Sequence, residues 1–168
     1  FELALDLFGF AGRHHEYFLS DVEVIGLFLD KTLPDFLHHA PDNYVFGSRL
    51  AKMLSGLEGL YEIELKCRLL GRGEDCYTIG YELSCSDYAV DWELCAEAVK
   101  NGHDYLIVPG KGIARISPAL KIFFFGIEAI LHSIDWSNRS FELPFYSVGY
   151  FNYLVKDLPG AVIAQLLN

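Results

Sequence analysis

The chain has 168 residues, 23 acidic against 13 basic side chains, a net charge of −10 and a hydrophobic fraction of 52%. Such an acidic surface disfavours direct nucleic-acid binding, which depends on Lys and Arg neutralising phosphates. No uncharged apolar run reaches the roughly 18 residues of a membrane span. Glu2 and Asp6 interrupt the apolar start with no basic stretch ahead of it, unlike a secretory signal, so a soluble, cytoplasmic protein is expected.

In chain order, residues 1–10 alternate loosely as a strand, and residues 9–15 break regularity at Gly9 and Gly12. Ser20 and Glu23 have capping-box spacing ahead of Val22, Ile25, Gly26 and Leu29, which predicts a helix over 21–31. Pro34 then starts a separate helical turn that Pro41 ends, and Ser48 caps a further piece over 49–54.

The clearest signal begins at Tyr61. Apolar and charged residues alternate through Leu69, and Tyr77, Ile79, Tyr81, Leu83 and Cys85 continue an odd-numbered face. Period two with one apolar face predicts an antiparallel hairpin, with Cys67 opposite Ile79 and Cys85 opposite Tyr61.

Asp91 is the expected N-cap of a helix bearing Trp92, Cys95, Ala96 and Val99 on one stripe, stopped by Asn101-Gly102. A small hairpin over 104–108 and 113–116 turns at Pro109-Gly110-Lys111-Gly112. Ser117-Pro118 opens a helix predicted to run to Ile134 and to be buried, because it is apolar nearly all round. A loop over 136–140, a short strand over 141–143 and a helix over 146–156 follow. The expected fold is α+β, an antiparallel sheet of hairpins packed on that central hydrophobic helix, in one domain spanning residues 1–168. The Phe1 start and the apolar 161–167 end suggest a segment excised from a longer polypeptide.

Candidate chemistry is sparse. Glu128, His132 and Asp135 share one face of the predicted helix and are the polar cluster on which metal ligation or acid–base work would have to converge. Without a partner motif such as H-E-x-x-H they read as that helix's wet stripe. The adjacent pairs His14-His15 and His38-His39 diverge on any regular backbone, and His103 stands apart. The Gly-Lys-Gly turn lacks the G-x-x-x-x-G-K-[ST] spacing that cradles phosphate. Cysteines 67, 76, 85 and 95 form no C-x-x-C pair and read as reduced core thiols. No catalytic residue, metal or cofactor is expected. Phe145, Tyr146, Tyr150 and Phe151 form a possible interaction surface, with Tyr153 beside them.

The succession Tyr77 to Leu83, Val90-Asp91-Trp92-Glu93-Leu94, Asn101 to Val108 and Gly110 to Ile116, with the later Phe141-Glu142-Leu143-Pro144, resembles the accessory region that precedes the motor in bacterial Swi/Snf-type helicases. The resemblance covers about half the chain and is one of pattern. It implies a non-catalytic domain joined to a DNA-dependent ATPase and docking on that motor or another protein. The motor's own motifs are missing, so no functional residue is carried over. The alternative is a free-standing acidic adaptor, similar in size and charge to secretion chaperones that bind an effector segment.

Overall fold

A computed structural model describes residues 11–13, 16–18, 21–39, 60–109, 111–131 and 133–158. The strand expected over 1–10 and the helical piece over 49–54 lie outside these residues. The architecture is α+β. Strands β1 (Ala11–Arg13) and β2 (Glu16–Phe18) pair as a small antiparallel ladder where the sequence suggested irregular chain.

Helix α1 (Val22–Leu27) is capped by Asp21, whose carboxylate accepts from the Val24 amide at 3.0 Å, one residue later than the capping-box reading. It does not stop before Pro34. A π-helical turn (Phe28–Thr32) carries it straight into α2 (Leu33–His39). The reason lies in the proline, which has no amide to donate and whose ring would strike the Asp30 carbonyl in a regular helix. The wider turn, with the Leu33 amide reaching back to the Phe28 carbonyl, opens the ladder at that point.

The alternating segment divides between two sheets. Strand β3 (Tyr61–Glu62) runs parallel to β8 (Gly112–Arg115), which pairs antiparallel with β7 (Tyr105–Val108). Buried Ile63 is the crossing point, and from Glu64 the chain enters a larger sheet. There β4 (Glu64–Arg72) pairs with β5 (Cys76–Cys85), which also carries the short β6 (Tyr88–Ala89). The expected face is correct: Leu65, Cys67, Ile79, Tyr81, Leu83 and Cys85 are buried. The β4–β5 register is offset by two residues, with Cys67 opposite Tyr81, while Cys85 pairs instead with Tyr88 of β6. An offset of two preserves side-chain faces, so alternation alone could not reveal it; separately, a bulge between Leu69 and Gly71 shifts the pairing by one residue beside the turn. Tyr61, now in the other sheet, is exposed beneath Lys111.

Helix α3 (Trp92–Lys100) is built as its sequence dictates: Asp91 accepts from the Leu94 amide at 2.9 Å, and Gly102 at φ +79° ends it. Helix α4 (Pro118–Ile127) starts at Ser117, as expected, but ends well before Ile134. Beyond it the chain turns, and β9 (Ile134–Asp135) and β10 (Ser140–Pro144) complete the larger sheet in the order β4–β5–β10–β9. Ile130, Leu131 and Ile134 still pack against the core, but as turn and strand. Short apolar runs do not distinguish these from helix. A 3₁₀ turn (Phe145–Ser147) leads into α5 (Val148–Val155).

The core is aromatic. The Trp92 ring lies 4.5 Å from Tyr81, 4.9 Å from Phe124, 5.7 Å from Phe123 and 6.2 Å from Phe141, centroid to centroid. Phe141 in turn meets Phe151 at 5.8 Å. One cluster thus joins α3, α4 and α5 to the middle of the larger sheet.

Candidate functional site

Glu128 and Asp135 do not share a helix face, because α4 stops at Ile127. Glu128 follows the helix end and pairs with Lys100 of α3. Asp135 sits in β9 and accepts from the Asn138 side-chain amide at 2.8 Å and its backbone amide at 3.1 Å. Those hydrogen bonds, the side-chain one foremost, hold its carboxyl below the ordinary 3.8. His132 lies outside the described residues. Among those described, no three His, Cys, Asp or Glu side chains gather as a metal site requires.

The acidic residues of α1 and the following π turn work as a tether. Glu23 accepts from the amides of Asp104 and Tyr105 at 3.0 and 3.1 Å and faces His103 Nδ1 at 3.3 Å. Asp30 accepts from the Tyr105 hydroxyl at 3.3 Å and from Arg115 at 3.4 Å, while Arg115 also pairs with Glu62. These bonds fasten the helix to the smaller sheet. The Lys111 ammonium lies 3.7 Å from the centre of the Tyr61 ring, a cation–π contact. His38 is exposed on α2, His14 and His15 lie outside the described residues, and the His39 side chain is likewise outside.

Cys67, Cys85 and Cys95 are buried free thiols and Cys76 is partly buried. Burial pushes the Cys67 and Cys95 thiols up to about 12 from an ordinary 9.0, which suits packing and opposes nucleophilic use. A thiol whose native pKa is raised favours the native state fully below its unfolded value, and that preference is lost as the pH climbs towards the native value. Burial raises the Tyr105 hydroxyl to about 12 as well, so all three groups act in one direction. The urea midpoint is therefore expected to be level from pH 7 to about 8.5 and to fall progressively above about pH 9. At neutral pH, alkylation should label Cys76 ahead of the other three. A rising midpoint, or fast labelling of Cys95, would contradict this packing.

The aromatic surface expected near the C-terminal helix is rearranged. Phe151 is fully buried against Phe123 and Phe141 and cannot meet a partner. Phe145 is partly buried on Tyr77, with the Arg72 guanidinium 5.1 Å from its ring centre. Tyr146 is 83% exposed, and Tyr150 and Tyr153 stack in parallel on the outside of α5. Helix α4 adds Phe125, 64% exposed, and Ile122. Gly126 allows the two helices to approach closely, since a Cβ there would lie 2.5 Å from Leu154 and 2.9 Å from the Tyr150 hydroxyl. Their outer faces are thus neighbours, and the helix expected to be buried apart from a polar stripe has a wet side made of hydrocarbon.

The sequence reading did not single out the surroundings of α3. Two apolar recesses flank this helix. One, of about 470 Å³, includes Val22, Leu94, Ala98, Leu106 and Ile107; the other, of about 400 Å³, includes Ala96, Phe124, Ile127, Leu131, Ile134 and Trp136. Glu97 borders both. The available signal was Glu93 and Glu97, like charges four apart that weaken an isolated helix. No protein-family model, curated protein or solved structure matches the chain.

Proposed function

We propose that this chain is an accessory domain that contributes binding surface rather than chemistry, docking through the outer faces of α4 and α5 onto the ATPase motor of a Swi/Snf-type helicase. The observation that carries the reading is the exposed set Ile122 and Phe125 on α4, Tyr150 and Tyr153 on α5, and Tyr146 in the turn that leads into α5. Large exposed apolar patches mark interaction sites, and Tyr and Phe are enriched where proteins meet. The resemblance to helicase accessory regions supplies the partner. The net charge of −10 suits a basic, DNA-handling motor better than DNA itself.

Calorimetric titration with such a motor tests the proposal. Binding is expected to weaken by about tenfold or more in Phe125→Ser or Tyr146→Ser, both exposed enough to leave the fold intact. The chain alone is expected neither to hydrolyse ATP nor to retain duplex DNA at physiological salt. Turnover by the chain alone, or duplex binding that outlasts added salt, would remove the proposal.

A further inference from the structure

We infer that α3 and its two flanking recesses form a second docking site, for a basic amphipathic helix of a protein partner. The site is separate from the α4–α5 face and stands whether or not that face engages a motor.

Three features define the occupant. Leu94 and Ile107 are 42% and 53% exposed in the first recess, and Trp136 is 47% exposed in the second, so both offer open apolar surface. The two recesses meet at Glu97, which borders both. An incoming amphipathic helix laid over Glu97 sets apolar side chains into the recess on each side of it. Glu97 stands between the recesses and Glu93 lines the second, and neither has an ion-pair partner among the described residues. Lys100, the neighbouring cation that could neutralise Glu97, is taken by Glu128. Like charges four apart cost an isolated helix a few tenths of a kcal/mol. Lys or Arg on the polar flank of the incoming helix removes that repulsion and pairs both carboxylates. An acidic segment would add to it, and a purely apolar one would leave it in place.

The probe is a synthetic amphipathic helix with leucines on one face and lysines on the other, titrated into isotopically labelled 168-residue chain. Two controls accompany it: the same peptide with glutamate for lysine, and polylysine without leucine. The lysine–leucine peptide is expected to bind at least about tenfold more tightly than either control, with amide shifts centred on Leu94, Glu97 and Ile107. Leu94→Ser with Ile107→Ser should cost about tenfold in affinity, and Glu93→Gln with Glu97→Gln should flatten the salt dependence. Phe125→Ser, on the other surface, should leave this binding unchanged, which separates the two sites. Equal binding of polylysine, shifts confined to α4 and α5, or an undiminished Leu94→Ser/Ile107→Ser variant would overturn the inference.

Discussion

Phe141→Ala is expected to destabilise the chain by about 3–5 kcal/mol, the usual cost of emptying a buried phenylalanine site. Phe141 is 1% exposed and lies opposite Ile79 of β5 and Ile134 of β9. Its ring touches the aromatic cluster of Trp92, Tyr81 and Phe151, so truncation removes contacts to two helices and the sheet at once. Small domains hold only about 5–15 kcal/mol in all, so the variant should be close to unfolding at body temperature. Phe125→Ala provides the contrast. With most of its ring in solvent, it should cost no more than about 0.5 kcal/mol. Urea unfolding of both variants separates the buried from the exposed side of the aromatic set. Equal costs would mean that the core is elsewhere.

Gly26→Ala is expected to loosen α1 from the smaller sheet. In an ordinary helix this substitution would stabilise by about 1 kcal/mol, because glycine is the poorer helix former. Here a Cβ would fall 2.3 to 2.5 Å from the Tyr105 ring atoms, far inside normal contact. The ring cannot swing aside readily, since its hydroxyl is bound to Asp30 and its backbone amide to Glu23. Overpacking of this kind costs about 1–3 kcal/mol, which outweighs the propensity gain. Amide exchange should accelerate across residues 22–39 while β5 stays protected. A more stable variant with unchanged exchange would show that Gly26 and Tyr105 are not in contact.

The parts of the fold that could be read in advance are those set by local chemistry. Asp91, Ser117 and Gly102 act where capping and left-handed backbone require them. The odd-numbered face of the hairpin followed from alternation. What escaped depended on distant residues. The transfer of Tyr61 to the smaller sheet requires β8, more than fifty residues away. The two-residue register offset leaves the alternation unchanged. The π turn arises from the meeting of a good helix sequence with Pro34, and the end of α4 is decided by the pairing of β9 with β10. The same limit applied to the candidate residues. Periodicity put Glu128 and Asp135 on one helix that the structure divides between a helix end and a strand. It also grouped Phe151 with Tyr150, though one is core and the other surface. The α3 recesses need Val22, Ile107 and Trp136 brought together from three regions, which no local pattern announces.

Hydroxyl-radical footprinting of Phe125, Tyr146, Tyr150 and Tyr153, with and without the ATPase motor, tests the docking account most directly. The account predicts rapid oxidation of these rings in the free chain and strong protection in the complex, with Phe151 unreactive throughout. Oxidation that the motor leaves unchanged, or protection produced instead by duplex DNA alone, would contradict it.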